Sequence, residues 1–158
     1  SPGGMAWDLS ASVTRAAHDE GVVYATGNGN SGMTIFVQGG RLVVDYNAFG
    51  DHTVLESQRE VPVGDAVLSV HLRRVQGYTG TLALAIDGAA CGQVELPLMM
   101  MMISSVGASV GRDHGLPVSD RYDGTFAFSG TLHQVDIEVG NRASVEDAAQ
   151  ARMEMARQ

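Results

Sequence analysis

The sequence of 158 residues contains a single cysteine, Cys91, so it cannot form an intrachain disulfide. This excludes the small secreted domains that disulfides hold together, and it favours a reducing compartment, here the cytoplasm. Basic residues are also scarce: ten Lys and Arg stand against 18 Asp and Glu, and the formal charge is −8. Because a negative protein repels phosphate groups, neither nucleic acid nor an anionic membrane is expected as a partner.

The sequence has no apolar run long enough to cross a bilayer. The longest run, 96–103, is interrupted by Pro97 and falls far short of the roughly 20 residues that a spanning helix needs. The first four residues, Ser-Pro-Gly-Gly, have neither the basic start nor the apolar stretch of a signal peptide, and 1–8 are interpreted as a linker or tag remnant. With 44% hydrophobic residues, we expect one soluble globular domain with a sizeable core.

Twenty glycines separate short runs of alternating or β-branched residues over the first 140 positions, a pattern typical of an all-β protein. The dipeptides Gly39-Gly40 and Asp87-Gly88 supply the positive φ angles that two-residue turns require, so the strands on either side should pair antiparallel. Ten strands are predicted, a number typical of a sandwich or barrel. They cover 9–15, 22–26, 33–38, 42–47, 52–57, 66–74, 81–87, 91–96, 105–111 and 130–139.

Two of these runs also indicate how the strands are buried. In 66–74, Leu68, Val70 and Leu72 alternate with more polar side chains, so one face of the strand should be buried. In 81–86, large aliphatic residues alternate with alanines, which suits an inner strand of two stacked sheets.

After Gly140 the composition changes to helix-forming residues, and 141–158 are predicted to be a C-terminal α-helix. Ser144 is a suitable N-cap, and the acidic residues 146 and 147 lie in the first turn. A narrow apolar stripe follows at helical spacing, so we expect the helix to pack against a partner surface. The stripe contains Val145, Ala149, Met153 and Ala156.

The run Gln134-Val-Asp136-Ile-Glu138 is the first candidate for catalysis, because some β-sandwich glycosidases carry their acids as Glu-x-Asp-x-Glu along one strand. Here the nucleophile position holds Gln134, whose neutral amide cannot attack an anomeric carbon. No glycosidase activity is therefore expected. The run is interpreted as a strand with one solvated face and with Val135, Ile137 and Val139 in the core.

A long loop between two predicted strands, about 111–125, is dense in acids, glycine and aromatics, and long loops on rigid sandwiches often bind ligands. Its three aspartates could bind calcium, but their spacing matches no known ligand loop. The favoured interpretation is that Asp113 orders the loop by accepting backbone N–H groups. The candidate ligand-binding residues are Asp113, His114, Asp120, Tyr122 and Asp123.

No metal site, catalytic residue or cofactor is predicted elsewhere. The methionines of 98–103 have no Cys or His beside them, and they suit ordinary packing better than copper(I). The five histidines lack the short spacing of zinc ligands. Cys91 has no basic neighbour in the sequence and is expected to be a buried, unreactive thiol.

The order of several short motifs resembles the C-terminal β-sandwich domain of large bacterial arylsulfatases. The most specific part is Gly111-Arg-Asp113, followed by Gly115-Leu-Pro-Val-Ser119 and the run from Tyr122 through Phe128-Ser-Gly-Thr to Leu132. The resemblance covers about residues 9–140 and extends into the helical tail. Its other parts are Gly21-Val-Val, Gly32 to Val37, Gly40-Arg-Leu, Asp45-Tyr-Asn, Leu82 to Gly88 and the C-terminal Met-Ala-Arg-Gln.

This resemblance implies a concanavalin-like or LamG-like jelly roll of two antiparallel sheets over 9–140, attached to a catalytic domain of the alkaline-phosphatase type. Sulfatases form their formylglycine nucleophile within Cys/Ser-x-Pro-x-Arg, whereas Cys91 is followed by Gly-Gln-Val-Glu. The chain is therefore expected to be a non-catalytic accessory domain that packs on the sulfatase catalytic domain or mediates assembly, including homo-oligomers. The alternative is an independent, lectin-like carbohydrate-binding module, although aromatics make up only 6% and Trp7 lies near the N-terminus.

Overall fold

The computed structural model describes residues 5–27, 29–99 and 108–141. Within these ranges all regular structure is β-strand, in ten elements. The predicted helix 141–158 lies outside the described residues, except that Asn141 ends the last strand. The strands are β1 (Met5–Arg15), β2 (Gly21–Gly27), β3 (Gly32–Gln38), β4 (Arg41–Ala48), β5 (Asp51–Glu60), β6 (Gly64–Gln76), β7 (Thr79–Ile86), β8 (Ala89–Leu96), β9 (Ser109–Val110) and β10 (Thr131–Asn141).

The strands form two five-stranded antiparallel sheets. Sheet A has the order β10-β1-β6-β7-β8, and sheet B has the order β5-β4-β3-β2-β9. Strands β1 and β2 are consecutive in the chain but lie in different sheets, as do β5 and β6, so the chain crosses repeatedly between the two layers. This is a jelly-roll-type β-sandwich, which confirms the predicted fold class. No helix among the described residues is long and apolar enough to cross a membrane.

Local turn chemistry explains the two predicted hairpins, and both are confirmed. Gly39 and Gly40 have φ angles of 59° and 78° and join β3 to β4. Asp87 and Gly88 have φ angles of 51° and 80° and join β7 to β8. Since glycine and aspartate tolerate the left-handed region better than other residues, the sequence itself specifies these turns.

The main core lies between the two sheets. Leu68, Val70 and Leu72 of β6 are fully buried, while His71 between them faces outward, so the predicted half-buried strand is confirmed. Strand β7 lies between β6 and β8, as expected for an inner strand, and its alternate large residues are buried too. Other large core side chains are Leu9, Tyr24, Met33, Ile35, Leu42, Tyr46, Leu82, Leu84 and Ile86.

The sandwich begins earlier than the sequence analysis placed it. Strand β1 starts at Met5, and Trp7 pairs with Leu72 of β6 and Val139 of β10. The indole is only 1% exposed and packs against Tyr24, with ring centroids 5.8 Å apart. Residues 5–8 are therefore part of the domain rather than of a linker, because burying an indole in the core stabilises the first strand.

The prediction that Ile137 and Val139 lie in the core is wrong. Both side chains are on the core-facing side of β10, yet Ile137 is 41% exposed and Val139 is 63% exposed. The reason is their place in the sheet: β10 is an edge strand of sheet A, and the strand at the facing edge of sheet B, β9, is only two residues long. Among the three predicted core residues, only Val135 packs against the core.

Candidate functional site

The long loop between β9 and β10, 111–130, lies over the outer face of sheet B. Tyr122 and Phe126 of this loop stack on one another, with ring centroids 5.0 Å apart, and Tyr122 meets Phe36 edge-on at 5.2 Å. Together they form a second, smaller apolar cluster with Val22, Ala25 and Val43. The loop is therefore a packed part of the domain.

Asp113 holds this loop in place, as its predicted ordering role requires. Its side chain is 1% exposed and accepts the N–H of Val118 at 2.8 Å and the O–H of Tyr122 at 2.5 Å. Its own N–H donates to the carbonyl of Thr125 at 2.7 Å. Burial, together with the bond to Asp113, raises the pKa of Tyr122 well above its usual value, so this phenol stays neutral and keeps donating.

Two further contacts fasten the loop to the strands beneath it. His52 of β5 places Nδ1 2.8 Å from the buried carboxylate of Asp45, and its Nε2 lies 3.5 Å from Asp120 of the loop. Arg121 donates to Glu56 at 2.6 Å. The Asp120 carboxylate remains almost completely exposed, so it can accept a hydrogen bond from a ligand.

The loop, the β2–β3 turn and the β4–β5 turn converge at one end of the sandwich around Asn47. Its buried side-chain amide donates to the carbonyls of Gly29 and Val118, at 3.1 and 3.3 Å. Its side-chain oxygen accepts the N–H of Gly50 at 2.8 Å. One buried side chain therefore ties three segments together at this end of the molecule.

Phe49 is the prominent residue of this end. It occupies the first position of the two-residue turn Phe49-Gly50, with φ angles of 54° and 92°, and its side chain is 67% exposed. Leu116, on the neighbouring loop, is 73% exposed. Phe49 is not among the residues predicted from the sequence, although the dipeptide Phe-Gly between two β runs, where Asn-Gly or Asp-Gly is usual, could have revealed it.

The structure divides the five residues predicted to bind ligand. Asp113 and Tyr122 are buried and support the loop, whereas His114, Asp120 and Asp123 are exposed. Ligand binding by these residues stays a prediction. The described residues contain no group of three or more His, Cys, Asp or Glu side chains arranged to hold a metal ion.

The outer face of sheet A carries a separate polar cluster. Asp8 accepts hydrogen bonds from Arg73, at 2.8 and 3.2 Å, and lies 2.5 Å from His71 Nδ1. Partial burial opposes ionisation of Asp8, but the bonds to Arg73 and His71 outweigh it, and the pKa of Asp8 is lowered. Farther along the face, the side-chain amide nitrogen of Gln134 donates to both carboxylate oxygens of Asp136, at 2.9 and 2.8 Å.

Two open cavities lie elsewhere on the described surface. One, of about 400 Å³, includes Thr14, whose hydroxyl bonds Asp65 at 2.5 Å and His133 at 2.7 Å. The other, of about 560 Å³, surrounds the buried Arg15, which donates to four backbone carbonyls, including that of Val61. The Nε of Arg15 has no hydrogen-bond partner among the described residues. The bonds that its Nη1 donates to Ala16, Ala17 and Asp19 hold the β1–β2 loop in place.

No protein-family profile and no curated protein matches this sequence. Solved structures do share its fold. Two are the CBM40 domain of the Ruminococcus gnavus IT-sialidase, bound to α2,6 and to α2,3 sialyllactose. Their sequence identities to this chain are 10% and 11%, and their TM-scores are 0.55 and 0.57. Each alignment covers 91% of this chain, and 82% or 80% of the CBM40 chain.

A third is a native heptameric SAP-like pentraxin from Limulus polyphemus, with 12% identity and a TM-score of 0.50. That alignment covers 86% of this chain, which spans 65% of the length of the pentraxin. At such low identities the comparisons establish a shared jelly-roll-type β-sandwich fold and nothing about ligands. None of them is an arylsulfatase.

Proposed function

We propose that the domain is a non-catalytic, lectin-like carbohydrate-binding module, and that its ligand binds at the end of the sandwich around Phe49. The fold supports this class, since two solved structures of similar fold hold sialyllactose. This proposal favours the independent module over the arylsulfatase accessory domain.

The exposure and backbone conformation of Phe49 carry the proposal. A non-glycine residue in the left-handed region costs roughly 1–2 kcal/mol, and Asn or Asp would fit this turn better. An aromatic ring that is 67% exposed also gains little from burial. Stability alone therefore disfavours phenylalanine here, and a binding role accounts for it: the apolar C–H face of a sugar ring can stack on the phenyl ring.

The surroundings of Phe49 supply polar groups for sugar hydroxyls. His52 pairs with Asn47 across the same hairpin, and its ring lies near the exposed carboxylate of Asp120. Asp51 follows the turn directly and is also exposed. Because these acids and the net charge of −8 repel a carboxylate, we propose that the ligand is a neutral sugar rather than a sialylated one.

Binding of the domain to a glycan array, followed by calorimetric titration with each sugar that binds, tests this proposal. We expect the wild type to bind neutral glycans, and we expect Phe49→Asn to weaken binding by at least about tenfold, the loss typical of a central aromatic contact. The same substitution should raise the free energy of unfolding by about 0.5–1 kcal/mol, because asparagine prefers this turn. A binding loss without a stability loss excludes misfolding as its cause.

Tyr78→Asn is the matched control, because Tyr78 is 66% exposed in a different turn, between β6 and β7. It should leave sugar binding unchanged. A wild type that retains no neutral glycan would contradict the proposed function. Equal binding by wild type and Phe49→Asn would contradict the proposed site, and preference for sialyllactose over lactose would contradict the proposed ligand class.

The accessory-domain function remains a second proposal because of the motif around Asp113. The arylsulfatase resemblance includes Asp113 and Tyr122, which bond to each other within the loop. It also includes Gly111, and the bonds of Gly111 to Val23 and of Tyr122 to Thr34 join the loop to sheet B. An inherited structural motif would behave in this way. Size-exclusion chromatography of the domain with a separately produced bacterial arylsulfatase catalytic domain tests this second proposal: co-elution would support it, and separate elution at micromolar concentration would contradict it.

A further inference from the structure

The cavity of about 560 Å³ beside the β1–β2 loop is built around one buried cation, Arg15. The side chain is only 5% exposed, and its two terminal nitrogens donate to four backbone carbonyls. The Nε–H has no acceptor among the described residues. Because an unpaired N–H on a buried charged group is costly, this cavity favours a molecule that supplies an acceptor.

The lack of a side chain at residue 40 keeps the cavity open beside Arg15. Gly40 lines the cavity from the turn between β3 and β4. A Cβ at this position would lie 3.7 Å from Nη2 of Arg15 and 3.8 Å from the carboxyl carbon of Glu60. Since these are contact distances, a side chain longer than a methyl group would extend into the space between the guanidinium and the carboxylate.

Three carboxylates line the same cavity and determine which acceptor it can hold. That of Asp19 accepts the N–H of Ala16 at 2.8 Å. That of Glu20 accepts the N–H of Gly39 at 3.1 Å. Glu60 is exposed, so its carboxylate can accept a hydrogen bond from a ligand. Because three negative groups around one cation repel an anion, the acceptor that fits the cavity is a neutral oxygen.

We propose that this cavity is a second binding site, for a small neutral polyol such as a monosaccharide. A hydroxyl group both accepts and donates, so two hydroxyls of one sugar can accept the Nε–H of Arg15 and donate to Glu60. The cavity volume of about 560 Å³ lies within the roughly 300–1,000 Å³ of small-molecule sites. Pro62 and Val63 also line the cavity and offer apolar contacts to the C–H groups of the sugar ring.

This site is separate from the surface around Phe49. The cavity includes the turn that precedes β4, and Phe49 lies in the turn that follows it. The eight residues of β4 span about 26 Å at 3.3 Å per residue. The second site therefore stands independently of the site proposed around Phe49.

Chemical-shift mapping by NMR tests the proposal on the full chain carrying Phe49→Asn, so that binding at the other end is weakened. Titration with glucose, galactose and mannose at millimolar concentrations should shift the amide signals of 16–20, 39–40 and 61–63 with at least one of these sugars. The corresponding uronic acid adds a carboxylate to the same ring. It should bind at least about tenfold more weakly, because the three acids repel it.

Two substitutions in one turn separate blocking of the cavity from backbone strain. Gly39 and Gly40 have φ angles of 59° and 78°, a region that asparagine tolerates. Gly40→Asn places its side chain between Arg15 and Glu60 and should weaken sugar binding by at least about tenfold. Gly39→Asn is the matched control and should leave the affinity unchanged, because a Cβ at residue 39 meets nothing within 4 Å.

Three results would each overturn the proposal. The first is that none of the three sugars shifts the amide signals around the cavity. The second is that Gly40→Asn and Gly39→Asn bind the sugar equally well. The third is that the uronic acid binds as tightly as the neutral sugar or more tightly.

Discussion

Replacing Asp113 by alanine removes the group on which the 111–130 loop depends. The carboxylate is 1% exposed and accepts one backbone N–H, from Val118, and one phenolic O–H, from Tyr122. After the substitution the Val118 N–H has lost its acceptor. Tyr122 is affected less, because its hydroxyl also lies 2.9 Å from the hydroxyl of Thr34.

The expected magnitude follows from these two bonds. A hydrogen bond to a charged group contributes roughly 1.5–3 kcal/mol, so losing both costs about 3–6 kcal/mol. Removing a buried charge recovers part of this loss, because the folded state no longer pays the desolvation of the carboxylate. We therefore expect Asp113→Ala to lower the free energy of unfolding by about 2–4 kcal/mol, and Asp113→Asn by less, since its amide oxygen still accepts.

Urea unfolding followed by circular dichroism measures these differences. Asp123→Ala is the matched control, an exposed aspartate in the same loop, and should change stability by less than about 0.5 kcal/mol. A chelator should leave the wild-type melting temperature unchanged. If Asp113→Ala costs no more than Asp123→Ala, the loop is not held by this carboxylate; if chelation strongly destabilises the wild type but not Asp113→Ala, the loop is a calcium site.

Three further outcomes are expected. Burial raises the pKa values of Tyr24 and Tyr122 above the ordinary 10.0, so the stability that these neutral phenols contribute is complete below pH 10 and is lost as the pH rises above it. In a titration followed by tyrosinate absorbance, part of the signal should appear only well above pH 10, and Tyr122→Phe should reduce that part. Ionisation of all tyrosines together near pH 10 would contradict this. The lowered pKa of Asp8 makes stability depend on pH in the opposite direction: the difference in unfolding free energy between wild type and Asp8→Asn should be largest above pH 4 and should shrink as the pH falls below 4. A difference that does not change with pH would show that Arg73 and His71 do not stabilise the charge of Asp8. Purified protein should hydrolyse neither aryl sulfates nor β-glucans, because Cys91 lacks the formylglycine motif and Gln134 replaces the nucleophile; activity that survives repurification would refute this.

The sequence by itself predicted most of the strands to within a few residues and both hairpins, whereas among the described residues only Ser109–Val110 of the predicted strand 105–111 is β-strand. Turn chemistry at Gly39-Gly40 and Asp87-Gly88 acts within a few residues, and alternation of apolar side chains repeats along each strand, so both signals are local. For the same reason the buried face of β6, with Leu68, Val70 and Leu72, could be predicted from the chain alone.

Tertiary structure decided which of these apolar faces are covered and which residues meet at the end of the sandwich around Phe49. Ile137 and Leu68 have the same alternating pattern, but β6 lies inside sheet A whereas β10 lies at its edge, and only strand order distinguishes them. Trp7, near the chain terminus, is buried because β1 is placed between β10 and β6. The surface around Phe49 exists because the buried amide of Asn47 bonds segments that are far apart in sequence, a contact that no local pattern specifies.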